Sequence, residues 1–437
     1  MSQQASNKPR NPSGPGRPSG TPRPAHGWLH ALAAVLAALV VMSLTAALGL
    51  WAAGAANLPD GGFLPVVAAL VVMAAGGTVA IAGDAGVIAE TSAGLTALPL
   101  SVSLAGALTV AAGFLRPLRH RAVASAPELA GWAARLAVPW LLALVGLGAL
   151  ARHTFTIPVE DPTGGFLEEF LDTTPRVGFR TDLPLTLLLG LLWLAGVLTL
   201  AVLVSRGAPL PGRLLRFQET VRPAAFAMVT LLLAYAGIGA VVGIVVALTG
   251  DSTADTFAVV LLGLPNLVWL ALTLGLGASW EGRVDGPFGL PMPQLLDEVL
   301  RAGDTTTVDL GTLAERDGRA WWLLVVAAVL VTAAAFLTAV RSPARTRLWQ
   351  HALHMAVALV LTVLTVCLLG RLYAHYGLSL LGIGDLGGDL AGEVALRPRL
   401  WPALGLAALW GLVTGPIGGL LASRVHRRGR TDLPAPH

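Results

Sequence analysis

The chain has 437 residues, 55% of them hydrophobic and only 12% charged, about half the charged share of a soluble domain. That balance excludes an ordinary water-soluble fold. A formal net charge of +4, with arginines in short separated clusters, excludes the continuous basic face of a nucleic-acid-binding protein. Cys367 is the only cysteine, so neither an intrachain disulfide nor a cysteine metal cluster is available.

Residues 1–27 are rich in Pro, Ser, Gly, Asn and Arg and carry almost no large apolar side chain. They read as a disordered tail, unable to bury enough surface to offset ordering entropy. The run Trp28 to Ala52 is longer than the core of a signal peptide, about 7 to 15 residues, and reads as a retained first helix. Nine more apolar runs follow: Phe63 to Gly83, Leu95 to Leu115, Trp132 to Ala151, Leu183 to Val204, Pro223 to Leu248, Phe257 to Ser279, Ala320 to Val340, His351 to Gly370 and Leu400 to Leu421. Within these ten runs Arg135 is the one charged residue. Lipid offers backbone amides no partner, so such runs cross as helices. The expected fold is an all-α polytopic integral membrane helix bundle of eight to ten spans over 28–422. Acidic outer loops are placed at about 152–182, 280–319 and 371–399, and a basic tail at 423–437.

Plain alternation of ten spans spreads the arginines evenly over both faces. If Phe63 to Leu115 and Pro223 to Ser279 each make one net crossing, the inner face holds 19 cations with only Glu128, Glu219 and Asp432 as anions, and the outer face 10 cations and 18 anions. The second arrangement satisfies the positive-inside rule and places both termini in the cytoplasm. One net crossing from two runs means a re-entrant hairpin plus a span, or two broken half-helices; the alternative is that both runs cross and the rule is overridden. Gly83-Asp84 with Leu98-Pro99, and Gly250-Asp251 with Leu264-Pro265, read as an inverted repeat of the secondary-transporter kind. Chance matching of dipeptides in so Gly- and Leu-rich a chain is the competing explanation.

Asp84, Glu90, Asp251 and Asp255 are the candidate ion or substrate ligands, because acids beside apolar runs are costly unless paired or hydrated. Their alternative role is helix capping, as in Asp251-Ser-Thr before Phe257. Asn266 is a candidate substrate ligand or a helix-to-helix hydrogen-bonding residue. Arg135 reads as a snorkelling interfacial arginine or a counter-ion for one of the acids. His351 and His354 share a helical face without a third ligand, and neither metal nor cofactor is expected. Gly382-Ile-Gly-Asp385 matches the Gly-x-Gly-Asp of intramembrane aspartyl proteases, yet it sits between the last two expected spans and no acid lies within any of them. Gln294 to Ala302 reads as a short amphipathic surface helix, and no nucleotide-binding or hydrolase motif is present.

Gly76-Gly-Thr78, Leu95-Thr-Ala-Leu-Pro-Leu-Ser-Val102, Gly113-Phe-Leu-Arg-Pro-Leu-Arg-His-Arg121, Gly286-Pro-Phe-Gly-Leu-Pro-Met-Pro293 and Leu378-Ser-Leu-Leu-Gly-Ile-Gly-Asp385 resemble the streptophobe family. That family comprises very hydrophobic multi-span proteins of Streptomyces and relatives and has no assigned activity. The similarity runs from about Trp28 to Arg424 and implies an actinobacterial plasma-membrane protein, with no functional residue carried over. The resemblance leaves mechanism untouched; from the residues the expectation is a permease- or channel-like protein moving a small solute or ion, coupled if at all to an ion gradient. The alternative is a structural or accessory subunit whose membrane partner supplies the chemistry. Besides that partner the bilayer is the expected surrounding, with no nucleic acid.

Overall fold

A computed structural model describes residues 27–84, 89–96, 98–117, 126–156, 176–205, 215–250, 253–284, 294–301, 306–343, 345–380 and 392–424. Eight helices in it are long and apolar enough to cross a membrane. They are α1 (Trp28–Ala52), α4 (Ala126–Leu150), α5 (Leu183–Val204), α6 (Leu215–Thr249), α7 (Thr253–Gly275), α10 (Trp322–Arg341), α11 (Leu348–Leu369) and α12 (Leu400–Ser423). Two shorter apolar helices, α2 (Phe63–Ala74) and α3 (Leu100–Leu115), and two seven-residue helices, α8 (Gln294–Leu300) and α9 (Leu310–Arg316), complete the α-helices among the described residues. The protein is a polytopic helix bundle.

Small residues decide how these helices meet. On α1 the buried face is Ala31, Val35, Ala38, Met42, Ala46 and Gly49, while Leu32, Leu36, Val40, Leu44 and Leu48 stay exposed. This suits a membrane, where tight packing rather than water exclusion drives helix association. A Cβ at Gly106 of α3 would collide with Met42, and one at Gly113 with Ala34, so α3 lies antiparallel to α1. Gly411 and Gly415, one turn apart, set α12 against the α11 backbone at Ala356 and Ala352.

The connections hold what hydropathy did not show. Among the described residues eight strands form one open antiparallel sheet in the order β3-β4-β1-β2-β7-β8-β5-β6. They are β1 (Val79–Asp84), β2 (Ala89–Thr96), β3 (His153–Thr156), β4 (Arg176–Thr181), β5 (Trp280–Val284), β6 (Thr306–Val308), β7 (Leu372–Leu380) and β8 (Gly392–Pro398). The expected spans Phe63 to Gly83 and Leu95 to Leu115 are therefore shortened. Gly76 takes φ +90 and closes α2, with the Gly77 N–H donating to the Val72 carbonyl and the Gly76 N–H to that of Met73, both at 2.9 Å. This glycine cap ends a helix that apolarity alone would have continued.

Because all four strand-bearing connections meet in one sheet, they lie at one end of the bundle. The C-termini of α3, α5 and α10, beside which the sequence carries its arginine clusters, lie at the other, the arginine end. α1 begins at the arginine end, opposite the C-terminus of α3, and α12 finishes there. Gly62 sits against the Phe155 ring of β3 and α2 leads straight into β1, so α2 starts and stops near the sheet. Residues Phe63 to Leu115 thus carry the chain once between the two ends. The α6–α7 pair does likewise: Arg341, at the arginine end, lies 3.3 Å over the Phe226 ring of α6, while Gly275 abuts Leu323 and Ala327 near the sheet end of α10.

The two halves repeat directly, which corrects the inverted sense expected from Asp84 and Asp251. Both hairpin pairs of each half enter the same sheet, in the same order, so the halves point the same way. The matching glycine is Gly277 of φ +91, not a residue near Gly250; its cap repeats that of Gly76, with the Ala278 N–H donating to the Thr273 carbonyl at 2.9 Å. Three residues later β1 and β5 begin, and their registers agree: Val79 faces Thr181 as Trp280 faces Pro398. The sequence keeps traces of the duplication. Val177, Arg180, Leu183 and Trp193 recur at one constant offset as Val394, Arg397, Leu400 and Trp410.

Candidate functional site

The sequence candidates do not converge. Asp84 and Glu90 face each other as Cα partners at the end of the β1–β2 hairpin, on the sheet rather than within the helices. Asp251 lies outside the described residues, as do the Gly-x-Gly-Asp segment at 382–385 and the tails at 1–26 and 425–437. Asp255 is exposed in the first turn of α7, where an acid is favoured by the helix dipole. Arg135 lines a small crevice with Gly27, His30, Ala34, Gly113, Trp132 and Leu136 at the arginine end. That position suits the snorkelling role and separates Arg135 from Asp84 and Glu90 by the length of the bundle.

Asn266 has a defined partner set. Its Nδ2 donates to the Leu98 carbonyl at 3.0 Å, and its Oδ1 accepts from the Leu100 N–H at 3.2 Å. It stands just after Pro265 inside α7 and caps the N-terminus of α3, where the first amides lack intrahelical partners. α3 returns the interaction. The Ser101 hydroxyl donates to the Val260 carbonyl at 2.8 Å and accepts from the Leu264 N–H at 3.1 Å, inserting itself into one rung of the α7 ladder next to the proline. Ser101 was not singled out from sequence. The available signal was the pair Leu98-Pro99 and Leu264-Pro265, read as a repeat when the two segments are in fact contact partners.

This reciprocal lock joins the halves, since α3 belongs to the first and α7 to the second. Around it the indoles serve as similar ties. Trp193 Nε1 donates to Ser103 Oγ at 2.9 Å, Trp269 Nε1 to the Leu232 carbonyl at 3.1 Å, and Trp140 Nε1 to the Gly190 carbonyl at 3.1 Å while stacking on Trp193. Most buried threonines bond back into their own helix, as Thr338 does to Ala334 and Thr414 to Trp410. Thr186 Oγ1 and the Tyr235 hydroxyl are buried without a partner among the described residues.

His351 is buried against Gly419, and no cluster of three metal-ligating side chains occurs among the described residues. The amphipathic segment expected at 294–302 forms helix α8 over Gln294–Leu300; Val299 and Leu300 are buried, and Leu300 lies over Gly282 of β5. At the sheet, Arg399 Nε donates to Glu281 Oε1 at 2.8 Å.

The site is a set of interhelical ties whose polar groups bond mainly to backbone. No family model, curated protein or solved structure matches the chain.

Proposed function

We propose that the protein is a structural or accessory membrane protein: a lipid-embedded bundle that holds an eight-stranded sheet at the membrane surface for assembly with membrane partners. The observation that carries this reading is the pooling of all four strand-bearing connections into one open sheet at one end. Asn266 and Ser101, the most elaborate polar arrangement between helices, serve packing and not a path. In this reading the arginine end is cytoplasmic, the sheet faces outward from the plasma membrane, and kinship with the streptophobe family rests on the segments quoted above. The chain carries no catalytic step of its own.

The test is purification from native membranes after mild crosslinking, alongside reconstitution into liposomes. A discrete stoichiometric complex and no ion or solute flux are expected. Gradient-driven flux by the protein alone would overturn the reading.

A second reading, an ion-coupled permease, is favoured by one observation. Non-helical backbone at Leu98-Pro99 meets the proline-interrupted α7 between the halves, and broken helices at a repeat interface are where transporters bind substrate. That reading requires Asp84→Asn or Asp251→Asn to abolish flux while the protein still inserts and folds.

A further inference from the structure

Among the described residues the sheet ends in two open edges of defined kinds. Each half contributes four strands in one order, so β3 and β7 are equivalent, and so are β2 and β6. His153 faces Phe179 three residues after the end of α4, as Leu372 faces Leu396 three residues after the end of α11. Val79 faces Leu95 in β2, as Trp280 faces Val308 in β6. The seam between the halves is β2 on β7, antiparallel, with Gly94 opposite His375 and Leu95 opposite Ala374. Among the described residues the terminal strands are β3 and β6, equivalents of the two that meet in that seam.

Each edge strand therefore has an equivalent that is already paired in the seam. Open edges present unpaired N–H and C=O groups that template pairing with a further strand, and strand directions here alternate without a break. The helices beneath agree. The internal seam is backed by α7 against α1, at Leu262 on Gly49, and against α3 at the Asn266 lock. The equivalents of α1 and α3 are α6 and α10, whose Val241, Val245, Val325 and Val329 are exposed; the equivalent of the second half of α7 is α2, whose Leu64 is exposed.

We propose that the edges receive a second copy of this chain, β6 of one copy pairing antiparallel with β3 of the next in the register of the internal seam. Thr307 then lies opposite Thr156, and Val308 opposite Phe155. The contact is heterologous, so it propagates or closes as a ring in the membrane plane. It stands whether the protein is an accessory subunit or a permease.

The test places Thr156→Cys and Thr307→Cys on separately tagged chains, each with Cys367→Ala, co-expressed and oxidised in native membranes. A disulfide-linked dimer carrying both tags is expected at ten-fold or more over either chain alone. Three results would overturn the proposal: no mixed dimer; a link formed only within the doubly substituted chain, which would mean that one molecule closes its own sheet; or equal yield when Thr154→Cys, two residues out of register, replaces Thr156→Cys. Independently of the cysteines, unsubstituted protein in native nanodiscs should have an oligomeric mass, and a uniform monomer would overturn the proposal equally.

Discussion

Trp193 and Trp410 each stand ten residues past the leucine that opens their helix, at equivalent places in the two halves. Each indole N–H is fixed by a group from earlier in its own half: Trp193 by Ser103 Oγ of α3, and Trp410 by the Leu276 carbonyl, just past the end of α7, at 3.1 Å. The position is retained while the partner differs: Leu276 lies just before Gly277 as Ala75 lies just before Gly76, yet Trp193 bonds to Ser103 on α3 instead.

The α3–α7 lock makes a prediction about stability. Asn266→Ala leaves the Leu98 carbonyl and the Leu100 N–H without their partner, and the expected cost is about 1–2 kcal/mol. Ser101→Ala should cost a similar amount. Because both groups hold one junction, the double variant should depart from additivity by roughly 0.5 kcal/mol or more. Thermal or denaturant unfolding in detergent measures all three, and strict additivity would mean that the two ties act separately.

The helix contact between α11 and α12 predicts opposite outcomes for two glycines of one helix. A methyl at Gly411 would enter the backbone of Ala356, so Gly411→Ala should destabilise by about 1–3 kcal/mol, as overpacking does. Gly405 has nothing within 4 Å of the same position. Gly405→Ala should be neutral or stabilising by up to about 1 kcal/mol, since alanine is the better helix former. Melting temperatures of the pair check the contrast.

The paired caps predict equivalence across the halves. Gly76 and Gly277 both adopt left-handed φ with no closer obstruction than 3.6 Å to an added Cβ. Substitution by alanine therefore tests backbone strain alone, and each variant should lose about 1–2 kcal/mol. Gly76→Asn and Gly277→Asn should recover part of that loss, because asparagine tolerates this region. Unequal behaviour of the two positions in unfolding assays would count against a common cap.

The course of the chain predicts a labelling pattern. On a Cys367→Ala background, Thr154→Cys and Arg397→Cys should react with a membrane-impermeant maleimide from one face. Ser342→Cys and Ser423→Cys should react only from the other. Shared accessibility of Thr154→Cys and Ser342→Cys would contradict a single end for all strand-bearing connections.

The sequence by itself determined that this chain is a membrane helix bundle, because long uncharged runs leave the backbone no other way to satisfy its amides in lipid. It also divided the connections into two sets, since Arg116, Arg206, Arg341 and Arg424 belong to clusters that stand apart from the acidic links. Tertiary structure alone decided the rest. Residues 79–83 are as apolar as the helix before them, and became a strand because Gly76 ends α2 and distant segments supply the rest of the sheet. Asn266 could be read as a ligand or a tie until α3 was placed beside it. Whether two similar segments are repeats or partners depends on contacts between residues more than a hundred and fifty apart, and local periodicity carries no record of those.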